Sequence, residues 1–263
     1  MDLLVISGFF LALLVGVSLG LVGSGGSILT VPILVYILGY NAITATGYSL
    51  FVVGCTALVG GVRGAFQGNV NITIVLLFGV PSLITAYLVR GYLLPVIPHT
   101  ITIAGSLTIT KSLLLMVLFA TIMLLAAIKM IRSVPPITAG RSLSKGKLII
   151  SGIATGFLAG AVGAGGGFII IPALVFLAGM PMKKAVGTSL FIIAIQSLAG
   201  FAGDAFGHAI NWVFLLPFTG AAIAGIFIGI VASRKIDGEK LKIGFGYFVL
   251  LMGVYIIIKE LFI

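Results

Sequence analysis

The chain reads as an all-α polytopic membrane protein of two inverted-topology repeats. Each repeat is a broken or re-entrant helical hairpin followed by three transmembrane helices. Three observations predict this. Uncharged apolar runs of spanning length recur, one half of the sequence repeats the other at a constant separation, and the basic residues fall in alternate loops.

Composition comes first. Of 263 residues, 60% are hydrophobic and 8% charged, and the mean hydropathy is +1.35. A soluble domain carries about 25% charged residues, and about 18 apolar residues suffice to cross ~30 Å of hydrocarbon. An outer-membrane barrel would instead show ~10-residue alternating segments, which are absent. The net charge of +10 does not point to nucleic acid. The bases sit in short loops between apolar runs, and no basic face carries interleaved aromatics. Cys55 is the one cysteine, so no intrachain disulfide or thiolate metal cluster is expected, and it reads as a small packing residue. Met1-Asp2-Leu3 lacks the positive region of a cleavable signal, so the start is expected to be mature chain.

Taken in order, residues 3–22 form an apolar run that breaks at Gly23, Ser24, Gly25, Gly26 and Ser27. A short run at 28–38 follows, and its eleven residues would rise only ~17 Å as a helix, too little to span. Residues 43–62 span and close on Arg63, and 72–89 cross again to Arg90. The stretch 91–111, with Pro95, Pro98 and His99, reads as a loop or interfacial segment, and 112–131 spans again. Residues 133–147, with Pro135, Pro136, Gly140 and Gly146, form a helix-breaking linker.

The second half repeats the first 140 residues on. Between 16–71 and 156–211 there is no gap, and twenty of the 56 positions are identical. GLVGSGGSILTVP at 20–32 returns as GAVGAGGGFIIIP at 160–172. Matches such as Gly23/Gly163, Pro32/Pro172, Gly39/Gly179, Ser49/Ser189 and Asn71/Asn211 are not the apolar coincidences that any two membrane helices share. The predicted units are residues 1–132, a cytoplasmic linker 133–147, and 148–263.

Charge then sets the topology. If each broken segment returns to its own side, three spans follow in each half, and an odd number inverts the halves. Placing the linker inside puts twelve basic residues inside: Arg63, Lys129, Arg132, Arg141, Lys145, Lys147, Lys183, Lys184, Arg234, Lys235, Lys240 and Lys242. Only Arg90, Lys111 and Lys259 fall outside, which is the asymmetry of the positive-inside rule. Both termini are expected outside.

Inverted repeats with discontinuous helices place a solute site near the midplane. A helix that begins inside the membrane offers unpaired N–H groups and a positive dipole end, and glycines let a solute approach them. Helices beginning near Ile28 and Phe168 would aim two such ends at one centre, an anion site. Its candidate residues are Gly23, Ser24, Gly25, Gly26 and Ser27 in one loop and Gly163, Gly165, Gly166 and Gly167 in the other. One terminus contributes about 0.3–2 kcal/mol, less than stripping an anion of water costs, so Tyr48, Ser49, Thr188, Ser189 and Gln196 are candidate further donors. Close helix packing is the competing account of the glycines and small hydroxyls. Arg63, Asp204 and His208 are candidates for gating or proton coupling, since ionisable groups near the membrane carry function by default; solvated helix ends are the alternative. Lys183 and Lys184 read as topology signals. Two histidines, one cysteine and five carboxylates make no metal set or nucleophile–base pair. The glycine cluster lacks the Lys and Ser/Thr of a phosphate loop. No enzyme, catalytic residue, cofactor or metal is predicted.

The doubled glycine motif is followed in each half by a G-x-S-L-F segment (47–51 and 187–191) and a glycine-to-asparagine turn ending at Asn71 or Asn211. In these residues the chain resembles the TauE/SafE family of sulfite and organosulfonate exporters, over nearly its whole length. The resemblance implies a permease of a bacterial or archaeal cytoplasmic membrane that moves sulfite, sulfoacetate or a similar sulfur oxyanion outward. The site would be only pseudo-symmetric, because Ser24, Ser27 and Tyr48 stand where the second copy has Ala164, Gly167 and Thr188. The resulting expectation is a secondary transporter working by alternating access around a midplane anion site. Its partners would be that anion and the lipid bilayer, with proton coupling and a homodimer left open. A gated anion channel, or a membrane partner protein without transport of its own, are the alternatives.

Overall fold

A computed structural model describes residues 3–23, 25–93, 96, 98, 100–103, 107–132, 144–162, 167–205 and 210–262. In chain order these form α1 (Leu3–Val22), α2 (Gly25–Pro32), α3 (Ala42–Phe66), α4 (Ile72–Leu93), β1 (Thr100–Ile103), β2 (Leu107–Thr110) and α5 (Lys111–Ile131). Then follow α6 (Lys145–Val162), α7 (Gly167–Pro172), α8 (Met182–Ala205), α9 (Trp212–Lys235) and α10 (Gly238–Phe262). Among the described residues, five segments are long and apolar enough to cross a membrane: Thr44–Phe66, Ile72–Leu93, Met182–Ala202, Trp212–Lys235 and Gly238–Ile258. Helix α5 adds 21 residues, a rise of ~32 Å. The protein is an all-α polytopic membrane protein with one small β-hairpin. Exposed apolar side chains such as Leu76, Ile84, Val213 and Leu251 suit a lipid surround.

Local geometry recurs at the 140-residue separation. Directly after Pro32 and Pro172 the helix widens into a π-helical turn, Ile33–Ile37 and Ala173–Leu177. A proline inside a helix lacks the N–H and crowds the carbonyl four residues back, so the ladder shifts. The Leu38 N–H donates to Ile33 O, and the Ala178 N–H to Ala173 O, both at 3.1 Å. Gly39 and Gly179 then turn the chain with φ of +71° and +61°. Asn71 and Asn211 cap α4 and α9, each Oδ1 accepting an N–H three residues on, from Ile74 and Phe214, at 3.2 Å.

Helix α2 folds back along α1. Gly26 lies against Val15 and Leu19, and Leu38 reaches Gly8, so the first hairpin doubles back along its own length. The larger contacts join one half to the other: α1 with α9, α4 with α6, α3 with α8, and α5 with α10. Helices α1 and α9 run parallel, Gly16 resting on Ala222 and Gly20 on Ile226. Helices α6 and α4 match them, Gly152 resting on Phe78 and Gly156 on Ser82. Lipid tails leave little hydrophobic drive between helices, so such seams rely on small residues that let backbones touch. Helices α3 and α8 cross antiparallel, Gly54 facing Leu198 and Gly61 facing Phe191.

These directions gather the bases. Among the described residues, Arg63, Lys129, Arg132, Lys145, Lys147, Lys183, Lys184, Arg234, Lys235, Lys240 and Lys242 stand at one end of the bundle, while Arg90, Lys111 and Lys259 stand at the other.

Four expectations are corrected. Helix α2 begins at Gly25 and α7 at Gly167, earlier than Ile28 and Phe168, because in the first copy the bend is made at Gly23 (φ +83°) and the next glycines enter the helix. Helix α3 continues one turn past Arg63 to Phe66. Part of 91–111 is not loop: β1 and β2 pair antiparallel, Thr100 opposite Thr110 and Ile103 opposite Leu107. Alternating Thr and Ile, β-branched and at home on a pleated surface, carry that pairing. Helix α6 opens at Lys145, so the end of the expected linker is helical; residues 133–143, Arg141 included, lie outside the described residues.

Candidate functional site

The site is built around the break after α1. The Gly23 N–H donates to Leu19 O at 2.6 Å and closes α1, and its positive φ suits glycine. A side chain there would meet Ser189 Oγ at 2.9 Å and Val186 at 3.0 Å, so the bend is pressed onto α8 of the other half. Ser189 Oγ donates to Val186 O at 2.9 Å and lies 3.5 Å from Gly23 O. Gly25, Gly26 and Ser27 form the first turn of α2, and Gly167 opens α7. Helices α2 and α7 pack against each other. Ser24, Gly163, Gly165, Gly166 and His208 lie outside the described residues.

The remaining candidates are distributed. Thr188, 0% exposed, accepts the Asn71 N–H at 3.1 Å, and Tyr48, 4% exposed, accepts the Asn211 N–H at 2.7 Å. Ser49 is buried in α3. Gln196 Nε2 donates to Ser82 Oγ at 3.0 Å, linking α8 to α4. Arg63 is not at a free helix end: its guanidinium lies 5.0 Å from the centre of the Phe227 ring of α9, a cation–π contact. Asp204 stands in the last turn of α8. The hydroxyls of Tyr48, Thr188 and Ser189 thus join the two halves in this conformation.

The two ends of the bundle differ. At the basic end a cavity of about 140 Å³ opens between α1, α3, α8 and α9. Gly20, Gly60, Gly64 and Gly187 are among the residues that line it, with the polar residues Gln67, Asn69, Lys183 and Arg234. At the opposite end aromatic rings cluster. Tyr40 lies 5.3 Å from Tyr48 and 5.2 Å from Phe214, and Phe51 lies 4.9 Å from Phe201 and 5.5 Å from Trp212. Burial, then the neighbouring Tyr48, pushes the Tyr40 phenol above its ordinary range.

The sequence gives Lys183 and Arg234 only a part in topology, and gives Gln67 and Asn69 no part. Their spacing carries no motif, since they come from three segments that meet only in the fold. The lysine pair at 183–184 was visible, and helix α8 decides which of the two faces the cavity.

A family model described as sulfite exporter TauE/SafE matches residues 8–256. A Xylella fastidiosa protein named a probable membrane transporter protein is 30% identical over 93% of this chain and 91% of its own length. A Methanocaldococcus jannaschii protein, also named a probable membrane transporter protein, is 29% identical over 98% of this chain and 96% of its own. A Bacillus subtilis protein of the same description is 32% identical over 41% of this chain and 39% of its own.

Proposed function

Since the chain belongs to the sulfite exporter TauE/SafE family of membrane transporters, we propose that it carries a small sulfur oxyanion or organosulfonate by alternating access. The anion binds between the 23–27 and 163–167 loops, held by the amides of two helix starts. The two halves lie inverted in a prokaryotic cytoplasmic membrane, with the basic end inside, both termini outside and the proton gradient or membrane potential as the driving force.

The observation that carries this reading is the broken hairpin. Helix α2 starts within the bundle at Gly25, behind a bend that is seated on α8, and packs on its counterpart α7. Amide N–H groups at such a start have no intrahelical acceptor and favour negative charge. The clustering of bases at one end supports the orientation. The cavity at that end suits a carrier open inward.

The test is saturable flux in liposomes. Sulfite, thiosulfate, sulfoacetate, taurine and sulfate would be offered with and without a pH gradient. Saturable, gradient-sensitive movement of one of them is the expected result. Gly25→Leu combined with Gly166→Leu should abolish it, and normal transport by that folded double variant places the site elsewhere.

A further inference from the structure

We infer that the cavity at the basic end is a second anion site, a collecting station in which Lys183 and Arg234 hold the small oxyanion before it passes Val186 to the Gly23 loop; this rests on the transport reading above. Four observations carry it. The cavity's about 140 Å³ is several times what one water needs, enough for a pyramidal or tetrahedral oxyanion that keeps part of its hydration. Its lining holds two cations, the amides of Gln67 and Asn69, and no carboxylate. An arginine fork and a lysine ammonium are the side chains that suit oxyanions. Ser233 also lines it, but its hydroxyl donates to Ile230 O at 2.9 Å, which leaves recognition to the other four.

Position is the third observation. Val186 lines the cavity and also touches the bend, 3.0 Å from where a Gly23 side chain would begin. The cavity therefore abuts the back of the loop proposed to bind the anion, with one valine between. Fourth, the donors belong to this end alone. The residues 140 positions away from Lys183, Arg234, Gln67 and Asn69 are Ile43, Leu94, Gly207 and Ala209, none of which is charged. A scaffold generated by duplication does not need these four side chains; a basic recess that raises the local concentration of an outgoing anion does.

Sulfite is the probe. Initial rates would be measured in liposomes for the wild type, for Lys183→Gln with Arg234→Gln, and for Lys184→Gln, whose lysine adjoins the cavity without lining it. The paired variant should raise KM about tenfold with kcat within about twofold, and the contrast should vanish near 1 M salt, where the Debye length is roughly 3 Å. Lys184→Gln should behave as wild type. In detergent, sulfite at constant ionic strength should raise the melting temperature of the wild type and not of the paired variant. Unchanged KM and unchanged stabilisation in the paired variant, or an equal loss in Lys184→Gln, would overturn the inference while leaving the transport reading intact. Stabilisation that depends on Lys183 and Arg234 in a protein that moves none of the five anions would uphold the site and overturn transport.

Discussion

The Tyr48 hydroxyl accepts the backbone N–H of Asn211 at 2.7 Å. Displacing both residues by 140 positions gives Thr188 and Asn71, and Thr188 Oγ1 accepts the Asn71 N–H at 3.1 Å. Each bond runs from the third helix of one half to the cap of the fourth helix in the other. Reciprocal exchange of this kind is what a twofold relation produces, and it supports the inverted arrangement proposed above. It also accounts for the replacement of Thr by Tyr between the copies, because a phenol and a short hydroxyl can both present an acceptor to the same amide.

Tyr48→Phe and Thr188→Val should each lower stability by about 1 kcal/mol, because each strands a cap N–H that had an acceptor. The bonds stand at opposite ends of the bundle, so the double variant should show the sum within ~0.5 kcal/mol. Thermal unfolding in detergent reads this as a loss of about 2–4 °C per bond. An effect of either variant on transport without one on melting would mean that the hydroxyl serves the substrate instead.

Gly16→Val and Gly156→Val should each cost about 3 kcal/mol. A Cβ at either position would overlap a carbonyl of the facing helix, Ala222 O or Ser82 O, and backbone cannot move aside as a side-chain tip can. Gly220, with nothing within 4 Å of its Cβ position, is the control; Gly220→Ala should be neutral or gain up to ~1 kcal/mol of helix propensity. Yield of monodisperse protein and melting temperature separate the two classes.

Gly23→Ala should impair the protein through a left-handed backbone that costs an L-residue ~1–2 kcal/mol, through contact with Val186, and through contact with Ser189 Oγ. Removing the oxygen in Ser189→Ala relieves only the last. The Gly23→Ala, Ser189→Ala pair should therefore be less damaged than the sum of the singles, and strict additivity in the melting temperatures would show that the two residues do not press on each other.

Thr56 offers the opposite case. Its Oγ1 is buried without a partner among the described residues, at 0% exposure in α3. Its counterpart Gln196 finds Ser82, but the counterpart of Ser82 is Ala222, which has no hydroxyl. Thr56→Val should therefore raise stability by about 1 kcal/mol, since an unpaired buried hydroxyl costs about 1–3 kcal/mol. A lower melting temperature would mean that the hydroxyl is satisfied.

Much was legible in the residues alone because it depends on local chemistry. Apolar runs, charge placement and a repeated Gly/Pro pattern determined the membrane class, the helix order and a break within residues 23–27, each set by neighbours in the chain or by the solvent around it. The β-hairpin at 100–110 had its signal too, in alternating Thr and Ile, but proline and polar residues nearby read as loop. What only the tertiary structure decided are the relations between segments far apart in sequence: Gly23 seated on Ser189, Thr188 turned to Asn71 and Tyr48 to Asn211, and Lys183 with Arg234 facing one cavity while Lys184 does not line it. Those follow from which helices pack together and at what register, and helix packing is fixed by the combined shape of many small residues on both partners, which no single stretch of sequence contains.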